Sequence, residues 1–263
     1  MQTWIRTFGT VLLSFGFDPR KFIASIRGAP HYLIGLFKYI WLRDALDKGL
    51  FKFRVVPVLS DIYSQSGVAK GHYFHQDLWA AREVFERNPQ RHIDVGSRID
   101  GFIAHLLCFR DVDVIDIRNL QSSTRGLTFF KADMMSDGSY GKLKADSVSC
   151  LHALEHFGLG RYGDPLVIDG WRLGLKNLAA LVTPGGVLLL SVPVGQPRVE
   201  FNAHRIFAPS TIILEAQELG LYLLGFNFID DDGNFQEDKQ PDDASHLAFG
   251  CGCFVFERRI FTQ

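Results

Sequence analysis

The stretch His92-Ile93-Asp94-Val95-Gly96-Ser97-Arg98-Ile99-Asp100-Gly101-Phe102, followed by Asp113-Val114-Ile115-Asp116-Ile117-Arg118, decides how this chain is read. His92 to Val95 predicts a short buried strand, and Gly96 a tight turn. Gly101 to Phe109 predicts a helix, and Val112 to Ile117 a second strand. The strands carry a carboxylate at or near their ends, Asp94 and Asp116. Gly96 and Asp116 stand 20 residues apart. At that spacing a strand-turn-helix-strand unit places an acid against a ribose held over the first turn. A glycine lets the backbone approach a ligand closely. The helix turns its N-terminal amides toward the same place, with Asp100 as its expected N-cap.

The choice of ligand follows from what the turn lacks. A dinucleotide turn has Gly-x-Gly-x-x-Gly, whose second glycine makes room for a pyrophosphate; here Arg98 stands there. A Walker loop has Gly-Lys-Ser/Thr; here Gly101 is followed by Phe102 and Ile103. The layout is that of a nucleoside site without a phosphate signature. S-adenosylmethionine has a ribose and an adenine but no phosphate. A purely structural strand-turn-helix is the alternative.

The 263 residues suit one large domain, or a domain with an extension. With 47 % hydrophobic and 22 % charged residues and a net charge of -1, the composition is globular and offers no global attraction to nucleic acid. Charge is uneven: residues 1–60 hold nine Lys and Arg against three Asp, while 230–243 hold seven acids and one Lys. Cys108, Cys150, Cys251 and Cys253 show no Cys-x-x-Cys pairing. Three of them sit in apolar contexts, which reads as reduced core thiols. No apolar run is long enough to span a membrane, and the run Val11 to Phe17 lacks a cleavage site. The expected location is the cytoplasm, or the periphery of the inner membrane.

Along the chain, residues 1–70 read as an apolar, basic helical extension and 71–263 as the ligand-binding domain. Asp18-Pro19 reads as a break and His31 to Leu50 as an amphipathic helix. That helix either packs on the core or a second subunit, or faces an anionic membrane surface. A loop, Gly71 to Asp77, leads into a helix from Leu78 to Arg87; His72, Tyr73, His75 and Gln76 are its candidate ligand contacts. Leu127 to Met135 reads as a third strand. At its end, Asp133 can accept from an adenine amino group while Met134 packs the ring. Asp146 to Leu151 reads as a fourth strand, and His152, Glu155, His156 and Arg161 gather past its carboxyl end, where open α/β sheets bind ligands. A helix from Leu166 to Leu181, an apolar strand from Val187 to Val192, and a polar loop with Arg198, Glu200, Asn202, His204 and Arg205 come next. Helix Ser210 to Glu218 and strands Leu221 to Ile229 and Gly252 to Ile260 finish the chain. The last two strands lack an intervening helix and should pair antiparallel.

In sum, these motifs resemble the class I S-adenosylmethionine-dependent methyltransferases. Asp94-Val95-Gly96 looks like their first motif, Asp116 like the ribose acid, and Asp133 like the adenine-side acid. Leu154-Glu155-His156 is similar to the Glu-His pair many carry after the fourth strand. Pro184-Gly185-Gly186 looks like their Pro-Gly-Gly turn. The resemblance covers about residues 70–260 and is nearest to an uncharacterised bacterial family with the same Asp-x-Gly-Ser-Arg-x-Asp-Gly-Phe turn. It implies a Rossmann-like doubly wound sheet of seven strands, order 3-2-1-4-5-7-6, with the last strand antiparallel. The alternation of strands and helices gives the same class.

The expected cofactor is S-adenosylmethionine, held by Asp94, Gly96, Ser97, Arg98, Asp116, Ile117, Asp133, Met134 and His152, with Arg98 on its carboxylate. Methyl transfer to oxygen needs a base, for which His156, His204 and His152 are ranked in that order, with Glu155 orienting a histidine. Arg161, Arg198, Asn202 and Arg205 are the expected acceptor contacts. They suit a small hydroxylated or anionic molecule, such as a sugar or sugar nucleotide in bacterial glycan biosynthesis. No metal site is expected: His152-x-x-Glu155-His156 resembles an inverted metalloprotease helix, but no second helix offers a third ligand. A non-catalytic cofactor-binding protein and an NAD-dependent enzyme are the competing classes.

Overall fold

The structure is a computed structural model that describes residues 9, 11–46, 51–136 and 143–259. The chain divides into two compact units, Met1–Val68 and Ala69–Gln263.

The first unit is built on α1 (Pro19–Leu46). The helix starts twelve residues before the expected His31. The expected break at Asp18-Pro19 is present, between a helical stretch that ends at Ser14 and this helix, and Asp18 also caps the helix, accepting from the amides of Arg20 at 2.9 Å and Lys21 at 3.1 Å. Proline after such a cap is preset for the first helical turn. The expected end at Leu50 lies outside the described residues. The segment after the helix returns along it and includes a short turn, Asp61–Tyr63. Gly28 lets this segment approach, because a side chain there would meet the Leu59 carbonyl. Tyr39 stacks on Phe53, and Tyr63 donates to the Arg27 carbonyl.

The second unit is an eight-stranded sheet between helices. Its elements are α2 (His72–Arg87), β1 (His92–Val95), a wide turn (Ile99–Ile103) running into α3 (Ala104–Leu106), β2 (Val112–Asp116), β3 (Leu127–Lys131) and β4 (Ala145–Leu151). Then come a single turn (Leu154–His156), α4 (Gly170–Leu181), β5 (Val182–Val194), β6 (Arg198–Glu200), β7 (His204–Ile206), α5 (Pro209–Glu218), β8 (Leu221–Ile229), β9 (Phe235–Gln236) and β10 (Gly250–Arg258). The sheet order is β3-β2-β1-β4-β5-β10-β8-β9. With β10 as the seventh core strand and β8 as the sixth, this is the expected 3-2-1-4-5-7-6 with a short edge strand added. β10 runs antiparallel to both neighbours, and β1, β2, β3, β4 and β5 are parallel.

Alternation along the strands feeds two cores. Phe254 and Phe256 join Leu175, Leu178 and Ile212 under α4 and α5. Cys253 and Val255 join Trp79, Val84, Phe102 and Leu106 under α2 and α3. Such period-two sorting is what a sheet covered on both faces requires.

Several local expectations are corrected. α2 begins at His72, not Leu78, so the supposed entry loop is its first turn. The helix after β1 opens with a wide turn. Asp100 is exposed and pairs with Arg98 at 2.8 Å instead of capping that turn. α4 begins at Gly170 rather than Leu166. β5 continues through Pro193 to Val194, because its partner β10 lies antiparallel beside it over that whole length. The polar loop is a hairpin in which Glu200 faces His204. The last strand ends at Arg258, and Ile260 lies outside the described residues.

Candidate functional site

Four parallel strands present their carboxyl ends to one crevice. It lies where chain connections leave in opposite directions, on the β1 side toward β2 and on the other toward β4; open α/β sheets bind ligands at such points. Gly96 turns the chain at the end of β1 with φ +72°, and a Cβ there would lie 2.9 Å from that of Ala153. Asp94 and Ser97 lie beneath this turn and hold it. The Asp94 carboxylate is fully buried and accepts from Ser97 N at 3.1 Å, Ser97 Oγ at 2.6 Å and Ser149 Oγ at 2.6 Å. Burial, offset in part by these donors, pushes the Asp94 carboxyl up to about 6.

The crevice itself is lined by Gly96, Asp116, Ile117, Asp133, Met134 and His152, six of the nine expected cofactor contacts. Asp116 already has a partner. Arg118 binds it bidentately, at 3.0 Å from Nε and 2.6 Å from a terminal nitrogen, and lies 4.6 Å over the Tyr162 ring. Asp133 accepts from the Met135 amide at 2.8 Å. Arg98 points elsewhere: it chelates Asp100 and lies 5.1 Å over the Tyr73 ring, in solvent. It lines a depression beside the crevice, with Ser97, Asp100, Asp116 and Arg118.

A second recess adjoins the crevice, and His152 and His156 line both. Its other walls are His72, Tyr73, Glu155, Arg161, His204 and Phe249. The turn Leu154–His156 buries Glu155 completely. Its Oε1 accepts from His152 Nδ1 at 2.6 Å, and among the described residues its Oε2 has no hydrogen-bond partner. A buried carboxylate oxygen without a donor is costly unless a ligand supplies one. Burial works against charge on Glu155, but the His152 imidazole holds the carboxyl below its ordinary value. Burial also opposes charge on His152, yet Cys251 and Glu155 beside it push that ring up to about 10. Cys251 is itself kept a thiol by burial, so Glu155 is the partner that holds His152 protonated. On its far side His152 Nε2 meets His72 Nδ1 at 3.0 Å. Burial and the charge of His152 lower His72 to about 4.

His156 differs. Its Nδ1 donates to the Ala203 carbonyl at 2.7 Å, which leaves the Nε2 lone pair free, 3.6 Å from Glu155 Oε1. Burial lowers its pKa, so it is neutral near pH 7. His204 is also lowered by burial. Its Nε2 lies 3.2 Å from Glu200 without forming a hydrogen bond.

Of the four expected acceptor contacts, Arg161 alone lines the recess. Arg205 is a buried strut that donates to the carbonyls of Glu155, Phe157 and Ile168. Arg198 pairs with Glu200 on the hairpin, and Asn202 is exposed at its tip. His72 and Tyr73 reach the recess, whereas His75 stacks near Phe235 and Gln76 is buried against Ser191. Phe249 and Cys251 were not expected near the site, and Tyr162, in the segment expected past β4, had no role assigned. Tyr162 had a signal, its place beside Arg161. Phe249 and Cys251 had none, because only the pairing of β10 with β5 brings them there.

Comparison with known proteins places this geometry. The family model described as "Caenorhabditis protein of unknown function, DUF268" matches residues 122–245. That span holds β3, β4, the Glu155 turn and the hairpin, but neither Gly96 nor Asp116, and its description is not of the bacterial family that the sequence resembled. No curated protein matches the chain significantly. Among solved structures, the 1,6-didemethyltoxoflavin-N1-methyltransferase of Burkholderia thailandensis, bound to S-adenosylhomocysteine, is similar at 13 % identity. The match covers 70 % of this chain and 79 % of that one with a TM-score of 0.51. The [4+2]-cyclase SpnF is similar at 12 % identity, covering 76 % and 91 % with a TM-score of 0.52. At such identities the likeness is one of architecture, and this chain has the Rossmann-like fold of the class I methyltransferases.

Proposed function

We propose that this protein is an S-adenosylmethionine-dependent methyltransferase that acts on a hydroxyl of a small polar acceptor. One observation carries the reading: the nucleoside crevice and the histidine-rich recess share a wall, His152 and His156. Asp116 would take the ribose hydroxyls, and Asp133 with Met134 the adenine. S-adenosylmethionine supplies an electrophilic methyl group when bound. The chain's own part is to align the acceptor, exclude water and remove a proton. His156 Nε2 would take the hydroxyl proton as the oxygen forms its bond to the methyl carbon and the carbon–sulfur bond breaks. Glu155 Oε2 can accept from a second hydroxyl. Tyr73 and Phe249 give flat walls for a ring, and Arg161 suits a phosphate or carboxylate. A sugar or sugar nucleotide combines these features.

Calorimetry with S-adenosylhomocysteine tests the first half. Asp116→Ala should weaken binding by about 1–3 kcal/mol, since the ribose loses a charged acceptor. Unchanged affinity removes the ribose assignment, and binding of NAD instead would favour the dehydrogenase class. Single-turnover transfer of labelled methyl to a panel of sugar nucleotides tests the second half. His156→Ala should lower the rate by about 10²- to 10⁴-fold with cofactor binding kept. Tight binding without transfer to any acceptor would favour a non-catalytic module.

The first unit supports a location. At the helical repeat, exposed Phe22, Ile23, Ile26, Ile34, Phe37 and Trp41 share one side of α1. Exposed Arg20, Arg27 and Lys38 flank it. Among the described residues no helix is long and apolar enough to cross a membrane. A basic-flanked apolar stripe suits the surface of an anionic bilayer. The protein should sediment with phosphatidylserine vesicles and leave them at high salt; a dimer seen by light scattering without sedimentation would assign the stripe to a second copy.

A further inference from the structure

Three donor atoms from distant parts of the chain converge beside the recess. They are His72 Nδ1 on the first turn of α2, His152 Nε2 just past β4, and Cys251 Sγ at the start of β10, all within 4.8 Å of one another. Helix α2 packs on the sheet face that carries Leu151, Leu189 and Cys251, and β10 pairs with β5, the neighbour of β4; together these bring His72 and Cys251 to the end of β4.

Orientation matters as much as proximity. His152 gives its Nδ1–H to Glu155 at 2.6 Å, which turns Nε2 inward. Metal-binding histidines commonly have such a carboxylate behind them; it fixes the ring and raises its basicity. His72 turns its Nδ1 inward, and its ring is backed by Phe249 at 5.0 Å between centroids. The inward nitrogens lie 3.0 Å apart. Two nitrogens on a tetrahedral ion, each at about 2.0–2.1 Å, sit about 3.3 Å apart. A small rotation of the His72 ring, which is only partly buried, covers that difference. Cys251 is fully buried and adjoins Gln76 Oε1 at 3.8 Å. A buried thiol of this kind becomes a ligand when a metal replaces its proton.

We propose that His72, His152 and Cys251 bind one first-row transition-metal ion of the zinc class, with the ion's remaining position open to the recess. Two imidazoles and a thiolate are the donor set that zinc and cobalt favour, and one that magnesium and calcium, which seek oxygen, do not. Three protein ligands and an open fourth position are the pattern of reactive rather than purely structural zinc. His72 and His152 both line the recess, so the open position would take an oxygen of whatever molecule enters. The proposal stands on the ligands alone and does not depend on methyl transfer.

Metal content and spectroscopy test it without any assay of activity. Purified full-length protein is stripped with a chelator, reloaded with cobalt(II) or zinc(II), dialysed and analysed for metal. Wild type should retain one ion per chain, and the cobalt form should show a thiolate-to-metal charge-transfer band. Cys251→Ser should lose that band. His72→Ala, a change at a less buried position, should lose the ion while circular dichroism stays native. Glu155→Gln should weaken zinc binding by about 10- to 100-fold. Retention by wild type no greater than by His72→Ala would overturn the proposal and leave a proton shared between the two imidazoles. Survival of the band in Cys251→Ser would overturn it as well.

Discussion

His92 shows how much a single residue of the opening stretch does beneath the site. Its ring is fully buried between two hydroxyls, with Nδ1 at 2.8 Å from Ser147 Oγ and Nε2 at 3.0 Å from Ser149 Oγ. Ser149 spends its proton on Asp94, so it accepts from His92 Nε2–H, and Nδ1 accepts from Ser147. The ring is neutral, and burial lowers it from 6.5 to about 3. A base whose folded value is depressed gives stability that is full above its unfolded value and lost as pH falls. Across the window from 6.5 to about 3 the loss is about 5 kcal/mol. Asp94 acts with the opposite sign. Its carboxyl is raised from 3.8 to about 6, so it removes about 3 kcal/mol as pH rises through that interval. Denaturant titrations of wild type and His92→Asn should therefore diverge, the wild type losing more stability than the variant as pH drops below 6.5. Parallel curves would show that His92 does not titrate on unfolding. The sequence disclosed Asp94 and its strand. It did not disclose that Asp94 and Ser97 brace the turn, because the hydroxyls that engage Asp94 include Ser149, on another strand.

Among the elements, those with a dense local signal were legible. β1, β2 and β8 fall where their apolar runs place them, and the order of motifs yields the sheet. Helix starts were less so. α2 begins six residues early, and no capping residue in the sequence announces that start; Gly71 leads in with φ +88°. The recess is assembled from the starts and ends of five elements, and no local pattern encodes that. The turn after β1 is the element most open to test. Gly96→Ala must hold a left-handed backbone and place its Cβ 2.9 Å from Ala153. It should destabilise the protein by about 1–2 kcal/mol and narrow the crevice. Thermal melts with and without S-adenosylhomocysteine should show a lower midpoint and a reduced ligand-induced rise. A full rise would mean that no ligand approaches this turn.

At the scale of the whole molecule, the crevice and recess belong entirely to the second unit, and the ion pair of Asp116 with Arg118 lines the crevice. Its consequence is kinetic. A nucleoside whose hydroxyls took the sites that the Arg118 guanidinium holds on Asp116 would first displace that side chain from its seat on Tyr162. Arrival then takes two steps, encounter and departure of the side chain. In stopped-flow traces with S-adenosylhomocysteine the observed rate should level off as concentration rises, at the frequency with which the guanidinium swings away. Arg118→Ala should restore a straight line, and its tight complex should also form faster in dilute salt than that of the wild type. Arg118, the partner of Asp116 in the free protein, would thereby set the pace at which such a ligand is taken up.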